Sequence, residues 1–325
     1  MFILEPNSQI RIGLKALRYF LVDVFTNRRF CGNQLAVFPE ATGLRKETMQ
    51  KIARELNLSE SAFVFPPSDS SKTCCRVRIF TPSEELPMAG HPTLGTAFVL
   101  SLLGRFHTSK VAGSELKTEV VFEEGVGSIP VTMEYDRNGN PDFISMRQPR
   151  PIFGPICKEA DGVAAMLSLD RKSISDKGLP VQVVSCGVPF LFVPIADLVS
   201  IGKIRFRTDV SEKLLRKYGV KNVLAFTLEV ENKSSFVHSR MFAPGLGIAE
   251  DPATGSASGP LGSYLVQHGV LNANPEVEFV SEQGMEIGRP SRIRVRIGKN
   301  SLGQFENVLV SGQCVMVGEG RLRRK

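Results

Sequence analysis

The chain has 325 residues, 42% apolar and 22% charged, with a formal net charge of +7, and this size and composition predict one or two globular domains. No apolar run approaches the roughly 18 residues that a membrane helix needs, and Glu5, Pro6 and Arg11 interrupt the N-terminus where a signal peptide would have its apolar centre, so we expect a soluble, cytoplasmic protein. Basic and acidic residues are mixed except in the terminal RLRRK, which has no interleaved aromatic residue; this disfavours nucleic acid and suits small anionic ligands.

The first half of the chain predicts strands around two helices. KETMQKIAREL, at 46–56, predicts an amphipathic helix, and TLGTAFVLSLLG, at 93–104, predicts a helix that is apolar nearly all round. Such a helix must be covered on all sides, and strands are the only abundant element available. The apolar patterns predict strands at 18–25, 35–38, 61–66, 74–80, 119–124, 129–135 and 143–146.

The second half predicts a similar series of elements. A helix is expected near 211–219, and a second one, rich in Gly, Ala and Ser, from Ala253 to about Gln267. Its small residues would let strands or another backbone approach closely. Strands are predicted at 181–185, 190–195, 223–229, 236–242, 277–280, 292–297 and 315–318.

Two stretches of the first half recur in the second half. RIFTPSEELPMAGHPTLGTA begins at Arg78 and RMFAPGLGIAEDPATGSA begins at Arg240, which places His91 opposite Asp251. CGNQLAVFP, from Cys31, likewise matches CGVPFLFVP, from Cys186. Because the order and spacing of the two pairs agree, we infer an internal duplication.

The duplication predicts an α+β fold of two pseudo-symmetric domains, each a barrel-like sheet around a central helix, with both helix starts near the cleft between them. We expect an N-terminal domain at 1–149, including an extension at 1–17, and a C-terminal domain at 150–325. The six cysteines lack CxxC spacing, so we expect reduced thiols rather than a zinc site or a disulfide framework.

The residues before each central helix are candidates for function. Pro92 and Pro252 suit the first position of a helix, which would make His91 and Asp251 the N-cap residues. Aspartate is a good cap and histidine a poor one, so His91 is the unusual member. An ordinary cap at Asp251 and a packed core histidine at His91 remain open.

Converging helix starts would offer free N–H groups and partial positive charge to a carboxylate or another anion. A phosphate loop is the rival interpretation, because Gly90 and Gly95 have GxxxxG spacing, but the lysine that such a loop requires is missing. GLGIAE, at 245–250, lacks the third glycine of a dinucleotide-binding motif.

Glu60 is the third candidate, because it lies where a predicted helix gives way to the apolar strand SAFVF. Partial burial of a carboxyl group there would raise its pKa and suit it to proton transfer. An exposed glutamate or a capping residue at the helix end is the alternative, and sequence spacing alone does not bring Glu60, His91 and Asp251 together.

The motifs DVFTNRRFCGNQLAVF, ELNLSESAFVF, AGHPTLGTA and EDPATGSASG resemble, in this order, those of the PhzF phenazine-biosynthesis family, which has the diaminopimelate epimerase fold. The resemblance extends from about Arg18 to Gly318. It implies two barrels around central helices, with the site between them, in agreement with the duplication.

The resemblance also implies a function. In the family, the glutamate matched by Glu60 moves a proton between carbons of trans-2,3-dihydro-3-hydroxyanthranilate, while His91 and Asp251 assist and orient the substrate. Gly90, Gly255 and Ser256 are then expected to border the pocket for its carboxylate or amine. The resemblance implies a homodimer without a metal or an organic cofactor.

Three departures from the family pattern leave the substrate open: Gln34 replaces a common proline, Met88 replaces a common aromatic residue, and about 17 extra residues precede the first strand. The substrate could be another small amino or hydroxy acid. Two alternative functions remain: a non-catalytic binding or regulatory protein that retains the pocket, favoured by the N-terminal extension and basic tail, and a racemase or epimerase that uses Cys31 and Cys186. The epimerase relatives use a pair of thiols where this chain has His91 and Asp251, which disfavours racemisation at those positions.

Overall fold

A computed structural model of the protein describes residues 16–106, 116–174 and 178–323. Residues 1–15 of the predicted extension and residues 324–325 of the basic tail lie outside the described ranges. Within those ranges, no helix is both long enough and apolar enough to span a bilayer.

The described chain forms 18 strands and six α-helices. The helices are α1 (Lys46–Leu56), α2 (Gly90–Leu102), α3 (Ala160–Leu167), α4 (Leu198–Gly202), α5 (Thr208–Lys217) and α6 (Gly255–Gln267). The strands of the first half are β1 (Ala16–Val24), β2 (Asn33–Phe38), β3 (Glu60–Phe65), β4 (Cys75–Phe80), β5 (Glu85–Leu86), β6 (Lys117–Glu124), β7 (Gly127–Tyr135), β8 (Pro141–Arg147) and β9 (Ile152–Ile156). Those of the second half are β10 (Gln182–Ser185), β11 (Pro189–Pro194), β12 (Asn222–Thr227), β13 (Val237–Ala243), β14 (Ile248–Asp251), β15 (Glu276–Gln283), β16 (Ser291–Lys299), β17 (Phe305–Gly312) and β18 (Cys314–Arg323).

The strand pairings of the first half recur in the second. β1 pairs with β2 and β10 with β11, both antiparallel, whereas β2 and β3, like β11 and β12, are parallel. The later pairings repeat as well: β4 runs parallel to β6 and β13 to β15, and each is followed by an antiparallel meander of three strands. Each pairing in one half therefore has a counterpart nine strands away.

The two halves are joined through the sheet. β8 pairs with β17, and the ninth strand of each half pairs with the first strand of the other: β9 with β10 and β18 with β1. The sheet is therefore continuous from one half to the other. The division into domains at residue 149 stays a prediction.

Each half is organised around one central helix. α2 packs on strands β1, β2, β7 and β8, and α6 packs on β10, β16 and β17. Every residue of α2 from Gly90 to Leu100 is buried. In α6, the ring of Tyr264 is buried against Phe192 and Phe226, and its hydroxyl donates to the carbonyl of Pro180 at 2.7 Å. This confirms the predicted α+β class, with apolar helices covered by strands.

Candidate active site

One small cavity between the halves contains all six residues that the sequence singled out. Glu60 and His91 line it from the first half, and Asp251 lines it from the second; Gly90, Gly255 and Ser256 lie at the two helix starts. Its volume is about 40 Å³. The structure thus places the predicted residues side by side, and their roles stay predictions.

Larger depressions lie elsewhere on the described surface. One, of about 370 Å³, is lined by Phe25, Cys31 and Arg292, and another, of about 650 Å³, lies between α1 and β18. Neither contains a predicted acid-base residue. Chemistry rather than volume therefore locates the candidate site.

Glu60 is the first residue of β3, in register with Leu35 of the parallel strand β2. The residue is only 6% exposed, and Oε2 of its side chain has no hydrogen-bond partner within the described structure. Burial raises the pKa of Glu60 well above its usual value, and the nearby charge of Asp251 raises this pKa further. The carboxyl group is therefore the buried, perturbed acid that the sequence predicted.

His91 lies inside the first turn of α2, and the N-cap is Ala89, so the prediction that His91 caps the helix was wrong. The helix begins earlier because the carbonyl of Ala89 accepts from the hydroxyl and the N–H of Thr93, at 2.7 and 3.4 Å. Nε2 of His91 lies 3.2 Å from Oε2 of Glu60, but their relative orientation does not form a hydrogen bond. Burial lowers the pKa of His91 to about 3, despite an opposing hydrogen bond to the backbone of Gln34. The ring is therefore neutral near pH 7.

Asp251 ends β14, and Thr254 is the N-cap of α6, so the capping prediction was also wrong here. The intervening residues are held outside the helix by β15 and β16: Gln283 donates to the carbonyl of Asp251 at 2.7 Å, and Ser291 donates to that of Pro252 at 3.0 Å. The carboxylate of Asp251 instead accepts from the hydroxyl of Thr254, at 2.6 Å. Burial raises the pKa of Asp251 to about 6, although this and other hydrogen bonds oppose the shift.

Asn33, the first residue of β2, connects the two halves at this site. Its side-chain amide nitrogen lies 2.8 Å from Oδ1 of Asp251, 2.9 Å from the carbonyl of Ala253 and 3.1 Å from Nδ1 of His91. Two amide hydrogens cannot serve three acceptors, so the two short contacts, both in the second half, take them. Sequence reasoning missed Asn33, although it lies inside the repeated CGNQLAVFP motif.

The two helix starts touch through glycine. A Cβ atom on Gly90 would lie 2.8 Å from Cα of Gly255 and from the backbone nitrogen of Ser256, closer than real Cβ contacts come. The converging N-termini place free N–H groups and partial positive charge at the cavity. The two helix starts thus lie side by side, and an anion site between them stays a prediction.

A side chain from the end of a strand braces each helix start. Glu124 ends β6 and lies 2.6 Å from the hydroxyl of Thr93, and burial raises the pKa of Glu124 to about 8. Near pH 7 it is therefore protonated and donates to Thr93, which in turn donates to the carbonyl of Ala89. Gln283 ends β15 and donates to Thr254 at 3.0 Å. Glu124 and Gln283 thus hold equivalent positions, each followed by glycine.

The arginines that begin the two repeats also have matching partners. Arg78 makes a bidentate ion pair with Glu85, at 2.6 and 2.8 Å, and Arg240 makes one with Glu250, at 2.8 and 2.7 Å. Each pair ties the short strand before a helix start to its neighbour. The Arg240 side chain is 5% exposed, whereas that of Arg78 is 25% exposed.

His238 lies beside the buried arginine pair, on the same strand β13. Its Nδ1 lies 3.0 Å from Glu282 and its Nε2 lies 2.9 Å from Glu286. Burial alone would lower the pKa of His238, but the hydrogen bonds to the two carboxylates raise it to about 9. This part of the second half is therefore a network of buried charges.

The cysteine alternative gains no support from the geometry. Cys31 borders the depression beside Phe25, and Cys186 is buried with a pKa raised by burial to about 12. Neither thiol lines the cavity that contains Glu60.

Comparison with known proteins identifies similar chains along nearly the whole length. Residues 22–320 match the PhzC–PhzF family, described as phenazine biosynthesis-like proteins. Curated relatives from several bacteria are named isomerases. One of these, the trans-2,3-dihydro-3-hydroxyanthranilate isomerase of Pseudomonas aeruginosa, is 33% identical over 94% of this chain and 98% of its own length.

Solved structures agree with the fold. A PhzF-family phenazine biosynthesis protein of Bacillus anthracis superposes with a TM-score of 0.85 at 28% identity, covering 95% of this chain and 99% of that one. A probable proline racemase of Agrobacterium radiobacter superposes with a TM-score of 0.66 at 11% identity, covering 95% and 93% of the two chains, and shows a shared fold only.

Proposed function

This chain belongs to the PhzC–PhzF family of phenazine biosynthesis-like proteins and is an isomerase, and from this premise we propose that it isomerises a small amino or hydroxy carboxylate by acid-base proton transfer, without a cofactor. The substrate is of the type of trans-2,3-dihydro-3-hydroxyanthranilate, after the relative named for that reaction. Glu60 is the group that moves the proton.

The observation that carries the proposal is the pair formed by Glu60 and His91. Oε2 of Glu60 and Nε2 of His91 are both buried, lie 3.2 Å apart, and have no hydrogen-bond partner in the described structure. Buried polar atoms are nearly always paired, so two adjacent exceptions indicate atoms that pair with a substrate. Both line the cavity at the helix starts.

The chemistry follows from the pKa of Glu60. As a carboxylate, Glu60 takes a proton from a substrate carbon, and the electrons of that C–H bond form a new carbon–carbon double bond while the existing one shifts. The same carboxyl group then returns the proton to a second carbon, so no atom is gained or lost. A carboxyl group whose pKa is raised can serve as base and then as acid.

The remaining residues bind and orient the substrate in this proposal. The substrate carboxylate lies at the backbone of Gly90, Gly255 and Ser256, where two helix starts offer N–H donors. His91, which is neutral, exchanges hydrogen bonds without adding charge beside Glu60, and Asp251 orients polar groups from the opposite half. A homodimer is part of the proposal and is tested by light scattering during size-exclusion chromatography.

The test compares the rate of isomerisation in heavy water between the wild type and Glu60→Gln. The wild type should convert trans-2,3-dihydro-3-hydroxyanthranilate or a related small carboxylate, with loss of a substrate C–H signal in proton NMR. Glu60→Gln should lower this rate by at least about 100-fold, the usual contribution of a general acid-base group, with an unchanged melting temperature.

Glu55→Gln is the matched control, because Glu55 is an exposed glutamate of α1 near the start of β3. It should retain the wild-type rate. Full activity in Glu60→Gln would remove Glu60 from the proposed role.

A further inference from the structure

Asn222 holds the position in the second half that Glu60 holds in the first half. Glu60 begins β3 opposite Leu35, and Asn222 begins β12 opposite Phe190. Leu35 and Phe190 are themselves equivalent, because each follows the cysteine of the repeated CG motif by four residues. The duplication therefore places Glu60 and Asn222 in the same structural position, and both line the cavity.

The side chain of Asn222 has an unpaired acceptor. The residue is 5% exposed, and its Oδ1 is buried without a hydrogen-bond partner in the part of the chain that the structure describes. Its Nδ2 donates to the carbonyl of Pro189 at 3.4 Å. Since a carbonyl only accepts, this bond fixes the orientation of the amide and leaves Oδ1 available to a ligand.

Much of the second-half wall of the cavity is apolar: Val188, Phe190, Met241 and Ile248 line it together with Asn222. The hydroxyl of Thr254, which also lines the cavity, donates to Asp251 instead. An amide carbonyl buried among such side chains is costly to leave unpaired. A ligand that brings an N–H or O–H group to this wall would satisfy it, whereas a carboxylate would place two acceptors against each other.

We infer that Asn222 is a specificity-determining residue whose Oδ1 accepts a hydrogen bond from an amino or hydroxyl group of the substrate. The inference rests on the proposed function, because it takes the cavity to be the substrate site. The substrate carboxylate lies at the helix starts and its donor group at Asn222, so the enzyme selects small carboxylates that carry an amino or hydroxyl group and fixes which face of the molecule meets Glu60.

The test uses two ligands that differ in one group, measured by isothermal titration calorimetry. Anthranilate carries an amino group beside its carboxylate, and 2-methylbenzoate has a methyl group of similar size in the same place. The wild type should bind anthranilate about tenfold more tightly, the usual value of one net hydrogen bond. Asn222→Leu should bind the two ligands equally, with its affinity for 2-methylbenzoate unchanged.

Two outcomes overturn the inference: equal affinities of the wild type for the two ligands, or an undiminished preference in Asn222→Leu. Equal affinities of the wild type overturn the inference even if Asn222→Leu does not fold. Because both titrations report binding alone, they are separate from the loss of turnover expected of Glu60→Gln. A preference for anthranilate that Asn222→Leu loses, together with a fully active Glu60→Gln, would keep Asn222 as a binding residue and refute the proposed proton transfer.

Discussion

The two halves of the molecule share a strand order but carry different chemistry at the cavity. Three equivalent positions differ: Asn33, Glu60 and His91 in the first half, and Val188, Asn222 and Asp251 in the second. The adjacent unpaired acid and imidazole are both in the first half. The second half contributes an apolar wall, one amide and a hydrogen-bonded carboxylate. The repeated strand pattern thus presents different side chains to the cavity from the two halves, and in the proposed function one half holds the reactive groups while the other orients the substrate.

The arginine–glutamate ion pairs behind the cavity also differ between the halves, and here the second half has the more buried groups. The Arg78–Glu85 pair of the first half is partly exposed, whereas the Arg240–Glu250 pair of the second half is buried and Arg240 also donates to the carbonyl of Ile201 at 2.9 Å. The second half, which lacks Glu60 and His91, therefore has the more buried of the two ion pairs. We expect substitutions at equivalent positions to have unequal effects.

The largest difference in stability is expected between Arg240→Gln and Arg78→Gln. Arg240→Gln leaves the buried carboxylate of Glu250 without its partner, which should lower the free energy of unfolding by about 3–5 kcal/mol. Arg78→Gln, in the more exposed pair, should cost less than about 1 kcal/mol. Urea denaturation of both variants measures the contrast, and equal losses would mean that burial of the pairs does not distinguish the halves.

The next prediction concerns Glu124→Gln, which gives the first half the amide that Gln283 provides at the equivalent position of the second half. The introduced amide would donate to Thr93 as Gln283 donates to Thr254. In the wild type the pKa of Glu124 is raised to about 8. The folded state therefore binds the proton of Glu124 more tightly than the unfolded state does. The contribution of Glu124 to the free energy of unfolding falls as pH rises from about 4.5 to 8, by about 1.4 kcal/mol per pH unit.

Glu124→Gln should be free of that loss, so its stability relative to wild type should increase between pH 5 and pH 8 in urea denaturation at each pH. The charged groups that line the same depression as Glu124 are Lys46, Arg76, Arg78, Glu85 and Glu123, and Cys75 interacts with Glu124 electrostatically. The pKa values of Glu85 and Glu123 are lowered and that of Cys75 is raised, which keeps them out of this pH window. A relative stability that does not change with pH would contradict the assignment of a buried neutral acid.

The smallest effect is expected from Asp251→Asn on the pH dependence of isomerisation. The charge of Asp251 raises the pKa of Glu60, so its removal should lower that pKa and move the midpoint of the rate profile to lower pH. Proton NMR in heavy water from pH 5 to 9 measures the midpoint. The exposed Asp161→Asn provides the control, and a midpoint that stays in place or rises would show that the two carboxyl groups are not coupled.

The sequence predicts the elements with strong apolar patterns and misses the others. α1 is predicted within its observed bounds, and the small-residue helix within two residues of its observed start. β9, β14 and β17 were missed because Gly, Pro or Glu interrupts their patterns. The position of β17 also depends on pairing with β8 of the other half, which a local pattern does not report.

The site was predictable where the repeat marks it and not elsewhere. The motifs identified Glu60, His91 and Asp251, but both helix starts were misplaced. α2 begins earlier because the carbonyl of Ala89 accepts from Thr93, and α6 begins later because Gln283 and Ser291 of distant strands hold the preceding residues. Asn33 and Asn222 were missed because a single asparagine at the start of a strand carries no signal of its own. The equivalence of Asn222 with Glu60 depends on the strand register, which places Asn222 opposite Phe190 as it places Glu60 opposite Leu35.

The pairing of β18 with β1 determines when the first half can be completed during synthesis. Arg18 and Glu319, which bond across these strands at 2.5 Å, are separated by 301 positions. One edge of β1 therefore remains unpaired while most of the chain is synthesised. An unpaired strand edge can pair with other chains. Contacts between such distant segments form slowly, so we expect the nascent first half to remain incomplete until β18 has left the exit tunnel.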